Sequence, residues 1–251
     1  MLARLSSRAM ARFVLVHGAF GGAWSWEPIV APLEALGHTV ETLDLPGGED
    51  DETPLEEITL GACADRVCSV LASGEPAVLV GYSMGGVVVT QAAANCPQHV
   101  ASLVFMAAFM PANGQSLLDM TQLPEAEGDM IQANIVIEGE PPVASMSAEA
   151  TATAVYNCCP PHAVERAVAR RRPQAVAVFA TPVQADDSVL DAIPRSYILT
   201  GQDNCIMPTL QRRMVAEHPC KEVVELDTDH APQLSMTDEV VAALDSFVRA
   251  G

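Results

Sequence analysis

Gly81, Tyr82, Ser83, Met84 and Gly85 form a Gly-x-Ser-x-Gly, and their setting leaves the chain few ways to fold around them. An apolar run, Ala77 to Val80, precedes the motif, and a helix-like apolar stretch, Val87 to Ala94, follows it. A strand that ends, a sharp turn and a helix that starts at once place the serine at the apex of the turn. Such a turn drives Ser83 toward unusual backbone angles. Glycine two residues to either side removes the Cβ atoms that would collide there. Composition alone would produce the pattern in roughly a tenth of chains this long, so its weight comes from the flanking strand and helix.

Elsewhere, apolar runs of strand length alternate with helical periods, which predicts βαβ units and a mostly parallel sheet flanked by helices. Phe13–Val16, His38–Leu43, Ala77–Val80, Val100–Met106, Arg195–Leu199 and Lys221–Leu226 are the expected strands. Helices are expected over Trp24–Leu36, from a capping box at Thr53–Glu56 to about Ala72, over His162–Arg172 and over Thr237–Val248. Pro111 to Val183 breaks this rhythm and reads as an insertion over the sheet. The expected organisation is a core of residues 12–110 and 184–251, a cap of 111–183, and a tail or over-called start at 1–11.

Charge narrows the partners. The net charge is −19, and Arg4, Arg8 and Arg12 concentrate positive charge at the start, so the remainder carries about −22. An acidic body repels nucleic-acid phosphates and anionic membranes, and no apolar run is long enough to span a bilayer. One lysine against twelve arginines points to a GC-rich bacterial gene. Of seven cysteines, an odd number without zinc-ligand spacing, most read as small core residues, and a reducing, cytoplasmic setting is expected. Cys158, Cys159 and His162 come nearest to a metal cluster, and no metal is expected there. A monomer or homodimer is expected.

A serine hydroxyl needs a base within hydrogen-bond reach, and the base needs an orienting acid. Of six histidines, His230 lies in a loop just beyond the last expected strand, where α/β folds place chemistry. Asp203 follows the strand ending at Leu199, whereas Asp227 and Asp229 lie too close to His230 in sequence to orient it from another loop. Two backbone N–H groups must also face the developing oxyanion. Met84, next to the nucleophile, supplies one. Ala19, in the glycine-rich loop after the first strand, supplies the other, with Phe20 as the alternative.

These residues, in this order, resemble the α/β-hydrolase superfamily. Within it the chain is similar to the branch of plant methylesterases, hydroxynitrile lyases and bacterial esterases, pyrethroid-hydrolysing ones included. Phe13–Ala19, Gly22–Trp26, Gly81–Gly86, Tyr156–Cys159, Arg172–Gln174, Gly201–Asp203 and Asp229–His230 carry the resemblance. It implies an α/β-hydrolase fold with a small cap after the sixth strand and no cofactor. It also implies a Ser83–Asp203–His230 triad, with the Ala19 and Met84 N–H groups as oxyanion hole. The lyases of this branch carry threonine after the first histidine and lysine after the catalytic one. Here those positions are Gly18 and Ala231, which favours ester hydrolysis. Phe20, Trp24, Trp26, Phe109, Met110, Met120 and Met130 are candidates for an apolar pocket taking neutral, hydrophobic esters.

Two rival classes fit less well. A dinucleotide-binding oxidoreductase fails on spacing, because Gly18, Gly21 and Gly22 do not make G-x-G-x-x-G. A Tyr-x-x-x-Lys pair is impossible, since Glu217 stands four residues before the single lysine, Lys221. A non-enzymatic small-ligand receptor could keep the same triad and would differ in turnover alone. A thioesterase or C–C hydrolase would differ in its pocket.

Overall fold

In the computed structural model, residues 10–49 and 51–249 are described; the N-terminal tail assigned above lies, through residue 9, outside them. Nine strands are found among the described residues: β1 (Arg12–Val16), β2 (Thr39–Leu43), β3 (Ala77–Tyr82), β4 (Val100–Met106), β5 (Val136–Glu138), β6 (Val143–Ser145), β7 (Gln174–Ala175), β8 (Arg195–Thr200) and β9 (Glu222–Leu226). Six form one sheet in the order β2-β1-β3-β4-β8-β9, and every pairing in it is parallel.

The period of two along each strand sends neighbours to opposite faces. Val14 and Val16 join a core with the helices Leu60–Leu71 and Gly85–Asn95, whereas Phe13 and Leu15 join a second core with Trp26, Ile29, Leu33, Val240 and Leu244. Burial on both faces explains why these strands read as continuous apolar runs. The chain leaves β1 toward β2 and then returns to the other side of β1 to form β3. That reversal opens a crevice at the carboxyl ends of β1 and β3, where open α/β sheets bind ligands.

The segment between β4 and β8 builds a separate antiparallel sheet, β5-β6-β7, and several short helices. Its two ends meet where the Gly114 N–H donates to Val183 and the Val183 N–H donates to Gln115, at 2.8 and 2.9 Å. Counted along this chain, the insertion follows the fourth strand rather than the sixth, because β1 is the first strand among the described residues.

Two local expectations need correction. The helix placed from Thr53 onward is a 3-10 turn at Leu55–Glu57, after which Ile58 is extended and the true helix starts at Leu60. Thr59 is its cap, its hydroxyl accepting from the Ala62 N–H at 3.1 Å, a stronger start signal than the proline upstream. The cysteines are not all free. Cys68 and Cys96 are bridged, their Cα atoms 6.1 Å apart, because the two helices on one face of the sheet run side by side. That bridge removes part of the case for a reducing compartment. Among the described residues no helix is long and apolar enough to cross a membrane.

The helix after Ser83 sits so close to its neighbours that glycine is obligatory there. A Cβ at Gly86 would lie 2.0 Å from the Phe109 carbonyl oxygen, whereas one at Gly61 would meet nothing closer than 3.7 Å. Gly86→Ala is therefore expected to destabilise the protein by roughly 3 kcal/mol or more. Gly61→Ala is expected to stabilise it by up to about 1 kcal/mol. Urea unfolding of both variants checks the pair; a neutral Gly86→Ala contradicts the packing described.

Candidate active site

Ser83 adopts a left-handed backbone, with φ of 56°, at the end of β3. Non-glycine residues avoid that region, and the cost, on the order of 1–3 kcal/mol, must be met by surrounding contacts. Here the Ser83 N–H donates to Met106 at 3.3 Å, and its carbonyl accepts from the Gly86 and Phe109 N–H groups at 3.0 and 3.2 Å. Phe20 and Ala107 share the unusual sign, with φ of 61° and 42°. Strain thus collects in the loops after β1, β3 and β4.

The three residues picked out by sequence order meet. Ser83 Oγ lies 2.9 Å from His230 Nε2, and His230 Nδ1 lies 2.8 Å from Asp203 Oδ2. Asp203 is 1% exposed and His230 4% exposed, so the relay is shielded from water. The Asp203 carboxylate is fully engaged. Oδ1 accepts from the Cys205 and Ile206 N–H groups, and Oδ2 accepts from Thr200 Oγ1 and Gln211 Nε2. Five donors fix its orientation, which in turn fixes the imidazole. Asp229 faces elsewhere, accepting from the N–H groups of Cys158 and Ala231 and from Ser235 Oγ.

The loop after β1 is held against Ser83. A Cβ at Gly18 would fall 2.7 Å from that of Ser83, so only glycine allows this approach. His17 clamps the loop from behind. Its Nδ1 donates to the Gly18 carbonyl at 2.8 Å, and its Nε2 accepts from the Leu45 N–H at 3.1 Å. The ring must be neutral to do both, and burial lowers its pKa from the ordinary value. Among the described residues, the Ala19 and Met84 N–H groups have no hydrogen-bond partner. Both residues line the same cavity as Ser83 and His230, and Met84 stands at the start of the helix Gly85–Asn95, where the dipole favours negative charge.

That cavity has a volume of about 270 Å³. Phe20, Trp24 and Phe109 line it, as read from the sequence, together with Tyr82, Tyr156 and Phe179. Met110, Met120 and Met130 do not. Met110 and Met120 are 2% exposed in the core beneath the cap, and Met130 packs against a cluster containing Ala154 and Tyr156. Trp26 is fully buried edge-on to Tyr82. Tyr82, Tyr156 and Arg171 are lining residues that the sequence reading missed. Tyr82 was visible as the second residue of the elbow, and Arg171 as the middle of an arginine run.

The cap is tied to the loops that carry these groups. Arg172 N–H donates to Phe20, Met130 N–H to Asn204, and Cys158 N–H to Asp229. Arg170 bridges Glu49 and Glu27, and its hydrogen bonds hold the Glu49 carboxyl below its usual range.

The profile of the alpha/beta hydrolase family matches residues 13–243. The chain belongs to this family. It is 32% identical to methylesterase 7 of Arabidopsis thaliana over 93% of this chain and 94% of the relative. It is 29% identical to methyl jasmonate esterase 1 of Vitis vinifera, over 95% and 97% of the two chains. Among solved structures, polyneuridine aldehyde esterase superposes with a TM-score of 0.84 at 26% identity, covering 95% of this chain and 99% of that one. A pyrethroid hydrolase from Sphingobium faniae JZ-2 gives 0.85 at 25%, covering 96% and 98%.

The His17 clamp makes stability depend on pH. Its folded pKa lies below the unfolded value, so its contribution is complete above about pH 6.5 and is lost as pH falls toward the folded value. Half-buried His218, also lowered by burial, acts in the same direction. The Tm of the wild type should fall on acidification from pH 7 to pH 5. His17→Gln should have a lower Tm at pH 7 and a shallower acid slope; parallel slopes in calorimetry would argue against the clamp.

Proposed function

We propose that this alpha/beta hydrolase is a serine carboxylesterase that cleaves hydrophobic carboxylic esters through an acyl-enzyme on Ser83. The observation that carries the reading is the hydrogen-bonded line Ser83–His230–Asp203, which opens on a cavity beside two unpartnered backbone N–H groups. His230 Nε2 takes the hydroxyl proton as Ser83 Oγ attacks the ester carbonyl. The carbonyl oxygen gains charge and is met by the Ala19 and Met84 N–H groups, already in place and shielded from bulk water. As the tetrahedral intermediate collapses, the imidazolium gives its proton to the departing alkoxide. Water then enters, loses a proton to the same nitrogen and releases the acid. Asp203 holds the ring in the tautomer that both steps require.

Two positions favour hydrolysis over cyanohydrin cleavage. A lyase of this branch needs a side-chain hydroxyl after the first histidine, but the Gly18 position has no room for a Cβ beside Ser83. It also needs a cation after the catalytic histidine, and fully buried Ala231 supplies none. A small-molecule ester is the expected partner.

A p-nitrophenyl ester series of rising acyl length tests the reading. Ser83→Ala should lose about 10⁴-fold or more in kcat across the series. In the wild type kcat/KM should fall on acidification, because protonated His230 cannot accept the serine proton. Equal rates in wild type and Ser83→Ala would remove Ser83 from the mechanism. Gly18→Thr should lower kcat about tenfold or more, since it displaces the nucleophile from its attack geometry, and should produce no cyanide from a cyanohydrin.

A further inference from the structure

The cavity lining is apolar except for a few groups, and one of them lacks a partner it would ordinarily have. Arg171 lines the cavity and is part-buried. Its Nη1 is sealed from solvent, and among the described residues none of its side-chain nitrogens makes a hydrogen bond or ion pair. Its guanidinium carbon lies 4.4 Å from the centroid of the Phe20 ring, so a cation–π contact fixes the head group in place. Adjacent Arg170 behaves in the opposite way, with both Glu49 and Glu27 as partners. Burial disfavours the charge on Arg171 and lowers its pKa, yet an arginine stays protonated. A guanidinium with one nitrogen sealed from solvent and no anion beside it carries a desolvation cost that an apolar residue there would avoid.

Other polar groups of the cavity fit the same picture. Among the described residues the Tyr82 and Tyr156 hydroxyls, which also belong to cavity-lining residues, form no hydrogen bond. Trp24 Nε1 is a buried donor without a partner. Asp129 also lines the cavity; its Oδ1 accepts from the Ile131 and Gln132 N–H groups, and burial resists its ionisation. The buried unpartnered atoms of the lining are thus the donors Arg171 Nη1 and Trp24 Nε1 and one acceptor, Gln233 Oε1, and Arg171 is the one among them that carries a charge.

We propose that the substrate is an ester carrying a free carboxylate at the end away from the scissile bond, and that Arg171 binds this carboxylate inside the cavity. The proposal rests on the esterase reading for the reaction, but not for the binding. A carboxylate matches the planar donor fork of a guanidinium and supplies the acceptor that Arg171 lacks. Arg171 is a specificity residue here; the bond-making groups remain Ser83 and His230.

Monomethyl adipate and dimethyl adipate differ by this one charge. In the Ser83→Ala protein, which holds ligand without turnover, calorimetry should find the half-ester bound about tenfold or more tighter than the diester. Adding Arg171→Leu should abolish that preference, and Arg171→Lys should retain part of it. Equal binding of the two ligands, or a preference that survives Arg171→Leu, overturns the proposal; the first result needs no arginine variant at all. Wild-type turnover separates the two readings. If the diester is hydrolysed with the higher kcat/KM, the carboxylate proposal falls and the esterase stands. If the half-ester binds through Arg171 and neither ester is cleaved, the esterase reading falls and the anion site stands.

Discussion

The backbone contact around Ser83 is the constraint on which the site depends. The left-handed serine turns the chain from β3 straight into a helix, and that helix is driven back against its own sheet. A Cβ at Gly81 would lie 2.7 Å from Val89 Cγ2, one at Gly85 would lie 2.7 Å from the Val16 carbonyl oxygen, and one at Gly18 would touch Ser83 itself. Removing those carbons brings three backbone segments together: the ends of β1 and β3 and the first turn of the helix Gly85–Asn95. Ser83, the Ala19 N–H and the Met84 N–H belong to these segments. The same packing that strains Ser83 therefore also sets the Ala19 and Met84 N–H groups at the cavity, and neither feature can be relaxed alone.

His230 and Asp203 arrive from the other half of the sheet, on loops with little regular structure. Their precision comes from the neighbours. Asp203 is held by five donors, and the segment around it and His230 is also tied to the cap at Asn204, Gln202 and Asp229. The loop after β1 receives its own tie at Phe20. One insertion thus roofs the cavity and ties down the loops after β1, β8 and β9, so a change in the cap reaches the segments that hold Asp203 and His230 as well as the cavity wall. The surface ion pairs of Arg170 and Arg166 add modestly to that docking.

The parts of this arrangement dictated by backbone geometry were legible in the sequence. Buried parallel strands need unbroken apolar runs, a tight elbow needs glycines at fixed offsets, and a triad on strand ends needs its members in order. Side-chain direction was not legible. Met110, Met120 and Met130 are apolar and lie in the insertion or at its edge, yet packing turns them into the core. Thr59 outcompeted the proline-marked start at Thr53 because Ile58 is extended, a fact that no local propensity records. The Cys68–Cys96 bridge joins residues on two helices, and it could be foreseen only once those helices were placed together. Arg171 was not singled out, since sequence alone does not say which of three consecutive arginines turns inward.

That inward turn reconciles two statements about charge that otherwise conflict. A net charge of −19 suggests that anionic ligands are unwelcome, but a surface charge acts through solvent and is screened over about 8 Å at physiological salt. Its effect falls mainly on the rate of encounter. Inside the cavity the dielectric is low and the nearest charge dominates, because the interaction grows as separation and permittivity fall. Acids spread over the exterior and a single guanidinium on the cavity side of the cap therefore act on different stages of binding. The exterior slows the approach of an anion without preventing it, and the interior decides whether the anion, once seated, is held with its ester bond over Ser83.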